Sequence, residues 1–128
     1  MSPAAAPGLQ VMVVDDDTLN LRVAARLLRE LGHHGVLVNE GGRALRLLEE
    51  RTFDLVLLDV NMPGMNGQDT LVALRRRPAT AQHMAVLMVS GHDDPGTRAH
   101  FLALGADGFL TKPLDSAVLA AALAPFTR

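Results

Sequence analysis

The chain has 128 residues and a mass of 13.7 kDa, enough for one ordinary domain burying about two-thirds of its unfolded surface and too little for two independent cores. Hydrophobic residues make up 48% and charged residues 20%, with no apolar run near the ~20 residues of a membrane span and no low-complexity tract. Twelve basic residues against fourteen acidic ones give a net charge of -2, and cysteine is absent, which argues against a nucleic-acid-binding field, a disulfide framework or thiolate metal sites.

In chain order, residues 1–8 are Pro- and Ala-rich and read as a flexible leader or linker remnant. They lack the basic and apolar regions of a secretory signal, so a cytoplasmic location is expected. An apolar run over 9–14 predicts the first strand, which ends on Asp15, Asp16 and Asp17. Ala24, Leu27, Leu28 and Leu31 then fall at i, i+3, i+4 and i+7, with Arg22, Arg26, Arg29 and Glu30 facing water, as in an amphipathic helix. A second strand is predicted over 36–38 and a helix over 43–50. The third strand, over 55–58, delivers Asp59 and precedes a loop carrying Asn61, Pro63, Gly64 and Gly67. A helix over 68–76 follows; Arg75, Arg76 and Arg77 read as its solvated end, suited to the helix dipole, with Pro78 as the stop signal. The fourth strand, over 84–89, delivers Ser90. A helix over 96–104, a short strand over 109–110 that delivers Thr111 and Lys112, and a helix over 115–123 complete the pattern.

Strand and helix alternate five times, and no connection has the length of a hairpin. This predicts a doubly wound α/β fold: a five-stranded parallel sheet with right-handed crossover helices on both faces, a three-layer sandwich. Ligands of such sheets bind beyond the carboxyl ends of the strands. That rim would gather Asp15, Asp16, Asp59, Ser90 and Lys112. Of the twelve basic residues all but Lys112 are arginine, so the single ammonium stands out. Two carboxylates about 4 Å apart repel by roughly 4 kcal/mol at an effective dielectric of 20. Lys112 offsets one charge, and a hard divalent cation that prefers oxygen ligands, Mg²⁺, would offset the rest.

Four blocks carry a family resemblance: Val13-Val14-Asp15-Asp16-Asp17; residues 54–67 around Leu57-Leu58-Asp59; Val89-Ser90-Gly91; and residues 105–113 through Phe109-Leu110-Thr111-Lys112-Pro113. In this order, at these strand ends, they strongly resemble the receiver domains of two-component response regulators, over residues 9–126. The resemblance implies a CheY-like, flavodoxin-like fold. It also implies Asp59 as phosphoacceptor, attacking the phosphorus of a phosphohistidine on a histidine kinase or histidine phosphotransfer protein. Asp16, Asp59 and the Asn61 backbone carbonyl would bind Mg²⁺ directly, and Asp15 chiefly through coordinated water. Ser90 and Lys112 would hold phosphoryl oxygens, and Ser90 with Phe109 would form a switch that remodels the face of helix four, strand five and helix five. A downstream protein would bind that face, or the domain would dimerise or relay the group as the receiver of a hybrid histidine kinase. No direct nucleic-acid or membrane partner is expected. The only catalysis implied is its own phosphorylation and dephosphorylation, and the Lys112–Pro113 bond is expected to be cis.

Simpler readings stand beside these. Asp17 suits a helix N-cap better than a ligand, and Asn61, Pro63, Gly64 and Gly67 are natural turn residues. Phe109 is an ordinary core aromatic apart from the switch role, and it stands where receivers frequently have Tyr. His33, His34, His83, His92 and His100 show no metal-site spacing, although His92, two residues after Ser90, sits where receivers tune access of hydrolytic water. A haloacid-dehalogenase-type phosphatase also uses an Asp nucleophile with Mg²⁺, but Thr18 falls one place early for Asp-x-Asp-x-Thr. A degenerate receiver lacking phosphorylation normally loses the acceptor, the acidic pair or the lysine, and all are present here.

Overall fold

The five apolar runs form the strands of one sheet in a computed structural model that describes residues 8–77, 84–92 and 94–127. The elements are β1 (Gln10–Val14), α1 (Thr18–Glu30), β2 (His34–Val38), α2 (Gly41–Glu50), β3 (Leu55–Asp59), α3 (Gly67–Arg75), β4 (Ala85–Ser90), α4 (Pro95–Ala103), β5 (Gly108–Thr111) and α5 (Ser116–Leu123), followed by a 3₁₀ turn over Ala124–Phe126. All neighbouring strands are parallel, in the order β2-β1-β3-β4-β5. The order reverses at β1 and β3, which opens a crevice beyond their carboxyl ends. Expected residues 1–7 of the leader, the stop signal Pro78 and His83 lie outside the described residues.

Alternation along each strand divides the core in two. Met12, Val14, Val56, Leu58, Val86 and Met88 face α2, α3 and α4, where they meet Ala44, Leu71, Leu74 and Phe101. Val11, Val13, Leu55, Leu57, Leu87 and Val89 face α1 and α5, where they meet Leu21, Ala24, Leu28, Leu119 and Leu123. Four helices start on a side-chain cap, which satisfies backbone N–H groups that have no partner within the helix. Asp17 Oδ1 accepts from the N–H groups of Leu19 (2.8 Å) and Asn20 (3.3 Å), Asn66 from Asp69, Asp94 from Gly96 and Asp115 from Val118.

Two expectations need correction. β2 begins two residues before the predicted run, at His34. Its polar start and Gly35 hide it from a hydrophobicity reading because it is an edge strand, exposed over most of its length. The Arg75-Arg76-Arg77 run is not a solvated end, for only Arg76 faces water. Arg75 donates to the Gly105 carbonyl (2.9 Å), the Met84 carbonyl (2.8 Å) and Asp107 Oδ2 (2.8 Å), while Asp107 Oδ2 also accepts from Val86 N–H. Arg77 reaches the Leu45 carbonyl (2.6 Å) and Glu49 (3.5 Å). These cations tie the end of α3 to β4, to the α4–β5 turn and to α2.

Candidate functional site

The crevice at the β1/β3 reversal is where the acidic residues meet. Asp15 follows β1, and its backbone N–H donates to the Val38 carbonyl (3.1 Å), which extends the β1–β2 ladder by one bond. Asp59 is the last residue of β3, paired in register with Val89 of β4. Asp15 and Asp59 are buried, whereas Asp16 is exposed. One carboxylate oxygen from each of Asp15, Asp16 and Asp59 lies within 4.8 Å of the others. Asp17 turns away to cap α1, and its backbone N–H donates to Asp15 Oδ1 at 2.9 Å.

Lys112 enters from the end of β5. Its Nζ is 3.1 Å from Asp59 Oδ1 and 3.2 Å from Asp15 Oδ2. Its backbone N–H donates to the Ser90 carbonyl at 2.7 Å, and the Lys112–Pro113 bond is cis, as expected. Ser90 closes β4, is almost fully buried, and its Oγ accepts from the His92 backbone N–H at 3.1 Å. Asn61 lies in the β3–α3 loop, where its backbone N–H supports the Asp59 carboxylate. In the same loop Gly64 adopts φ 72°, a left-handed turn position. Phe109 is buried on β5, 6.2 Å from Phe101 between ring centroids.

Charge balance follows from this geometry. Burial, and then the Asp15 carboxylate, push the Asp59 carboxyl up to about 6; Lys112 and the Asn61 N–H only partly offset them. Burial opposes the Lys112 charge, but the Asp59 and Asp15 carboxylates outweigh it and hold the ammonium above its ordinary range. The site thus gathers more negative charge than Lys112 and the Asn61 N–H offset. An apolar groove of about 380 Å³ opens beside it, lined by Leu19, Val23, Pro113 and Leu114 as well as Asp59 and Lys112.

Asp15, Asp16, Asp59, Asn61, Ser90 and Lys112 thus lie on one rim, whereas Phe109 sits deeper, paired with Met88 in mid-strand. Asp15, Asp59 and Lys112 are in direct contact, Asp16 and the Asn61 backbone adjoin them, and Ser90 and Phe109 stand on the neighbouring strands. Sequence reasoning missed Arg98 of α4, whose guanidinium lies 5.2 Å from the Phe109 ring centroid; a lone arginine on a helix gives no signal of what it stacks against.

The fold and this rim match a known family. The family model of the response regulator receiver domain matches residues 11–124, and the chain belongs to that family. It is 40% identical over 124 residues to the nitrate/nitrite response regulator protein NarP of Escherichia coli, covering 94% of this chain and 55% of that protein. To the sensor protein GacS of Pseudomonas syringae it is 32% identical over 127 residues, covering 98% of this chain but 14% of that protein. The chain therefore spans only part of these relatives. Among solved structures, the Vibrio cholerae chemotaxis protein CheY4 superimposes with a TM-score of 0.85 at 28% identity, covering 96% of this chain and 99% of that one. The domain is a phosphoryl-accepting signalling module of two-component systems, and the phosphatase alternative finds no support. Among the described residues no helix is long and apolar enough to cross a membrane.

Proposed function

We propose that residues 9–126 form a phosphorylation-controlled switch in which Asp59 takes a phosphoryl group from a phosphohistidine of a histidine kinase or histidine phosphotransfer protein. The observation that carries this reading is the single lysine of the chain held 3.1 Å and 3.2 Å from two buried carboxylates at the sheet reversal. An Asp59 carboxylate oxygen bonds to phosphorus as the P–N bond of the donor breaks; the bonding pair leaves with the imidazole nitrogen, which takes a proton from solvent. Lys112 and Ser90 hold oxygens of the arriving group, so protein dipoles and charge do most of the catalytic work. In the reverse phase water attacks phosphorus, the P–O bond to Asp59 breaks, and phosphate is released with the carboxylate restored. The donor approaches along the apolar groove beside α1, where Leu19 is 68% exposed.

Three carboxylates with oxygens this close, one of them open to water, suit a hard divalent cation. Asp16, Asp59 and the Asn61 carbonyl would hold Mg²⁺ directly and Asp15 through water. When bound, the ion neutralises negative charge gathered at the acceptor. Downstream, the α4, β5 and α5 face would contact a target protein or a second copy. A second reading, relay from the receiver of a hybrid histidine kinase, is favoured by the match to GacS across 98% of this chain.

Incubation with a small phosphodonor and Mg²⁺, followed by intact-mass measurement, tests the central claim. Wild type should gain one acid-stable, base-labile phosphoryl group, and Asp59→Asn none. Equal modification of the variant would move the acceptor elsewhere.

A further inference from the structure

α4 contacts Phe109 through two side chains. Phe109 is 5% exposed; its ring centroid is 6.2 Å from that of Phe101, at an interplanar angle of 37°, and 5.2 Å from the central carbon of the Arg98 guanidinium. Arg98 Nη1 also donates to the Phe109 carbonyl at 3.3 Å. Arg98 and Phe101 are three residues apart on α4, so one helical face presents both. A guanidinium over an aromatic face is attracted by the ring quadrupole, and the hydrocarbon stem of Arg98 covers apolar surface that would otherwise meet water. A phenylalanine ring has no hydroxyl with which to be tethered. Here its face and its own backbone carbonyl are held by a single side chain.

We propose that Arg98 is a positioning residue of the switch, biasing Phe109 toward its buried position. This inference rests on the reading of Asp59 as phosphoacceptor with Phe109 as its switch residue. The contacts join α4 to β5 and are made at the ring and the backbone carbonyl of Phe109. Ser90 stands apart from them, its hydroxyl engaged by the His92 N–H. The Arg98 contacts thus bear on the aromatic half of the switch. The resemblance to receivers implies that the switch aromatic moves inward on phosphorylation, so by linkage a contact that favours the buried Phe109 raises apparent affinity for the phosphoryl group, and its loss lowers affinity by the fraction of competent molecules lost.

The test uses Arg98→Met, which keeps the stem without the cation, and Arg98→Lys, which keeps the cation. Fluorine-labelled phenylalanine gives one signal for each of four phenylalanines; that of Phe109 is assigned with Phe109→Leu. Phe126, packed on the opposite face of the sheet, serves as a control for intact folding. Beryllium fluoride with saturating Mg²⁺ is the phosphoryl probe. Arg98→Met should move the Phe109 signal toward the solvent-exposed position and weaken beryllofluoride binding about three- to tenfold, with the Phe126 signal unchanged. Arg98→Lys should recover most of both effects. An unchanged Phe109 signal and unchanged binding in Arg98→Met would overturn the role of Arg98, as would an Arg98→Lys variant no better than Arg98→Met. Failure of wild type itself to bind beryllofluoride or accept phosphate would instead overturn the acceptor reading, while the Phe109 signals of wild type and variants would still decide the role of Arg98 in placing the ring.

Discussion

Burial gives Asp59 its chemistry and makes it a liability for the metal-free protein. Its carboxyl, ordinarily near 3.8, is pushed up to about 6 by burial and by Asp15, so the folded protein holds a proton there that the unfolded chain releases. The stabilising effect is complete below the unfolded value and is lost as pH rises through about 6. In the presence of a chelator, wild type should therefore lose stability relative to Asp59→Asn between about pH 4 and pH 7, ending roughly 1–3 kcal/mol below the variant. With neither Trp nor Tyr in the chain, urea titrations followed by circular dichroism at the two pH values check this; parallel curves for the two proteins would contradict it. Lys112 is the other half of the balance. A single Nζ reaches two carboxylates at 3.1 Å and 3.2 Å, a geometry suited to a compact ammonium and not to a planar fork. Lys112→Arg should keep Mg²⁺ binding, measured by calorimetry, yet accept phosphate about tenfold or more slowly and fail to transmit the change. Amide shifts around α4 and β5 that match those of phosphorylated wild type would show that position 112 needs only a positive charge.

Elements deliver these residues by close backbone approach. Gly67 opens α3 directly against the end of β3: a Cβ there would overlap the Asp59 carbonyl oxygen and come within 2.8 Å of the Val60 Cα. Gly67→Ala should therefore displace the Asp59 end of β3, cost about 2 kcal/mol or more of stability and, on the reading of Asp59 as phosphoacceptor, slow phosphoryl uptake. Urea titration and intact-mass time courses on the same variant would reveal whether the two effects travel together. Gly67 was legible in the sequence only as a turn residue, because the need for a missing side chain comes from a strand eight residues earlier. Strands buried on both faces were legible as uninterrupted apolar runs, with ends correct to a residue or two. The edge strand β2 was shortened for the opposite reason, since its His34-Gly35 start meets solvent and carries no apolar signal.

At the scale of the molecule, the site was legible because a doubly wound sheet places the carboxyl ends of all its strands on one rim, so residues distant in sequence could be gathered without coordinates. What escaped were particular contacts between helices and the strands away from the rim. Arg75 bonds the Met84 carbonyl just before β4 and both Gly105 and Asp107 of the α4–β5 turn, and Arg98 stacks on Phe109; a sequence records that these are arginines but not which carbonyl or ring awaits them. The rim also has a spectroscopic consequence. Protein grown on ¹⁵N-lysine carries one labelled backbone amide, because Lys112 is the only lysine of the chain. That amide donates to the Ser90 carbonyl at 2.7 Å, so a single unassigned cross-peak reports the junction of β4 and β5 beside Asp59. If Mg²⁺ or a phosphoryl group enters the site, that one signal should shift, and its time course can be followed without assignment of any other resonance.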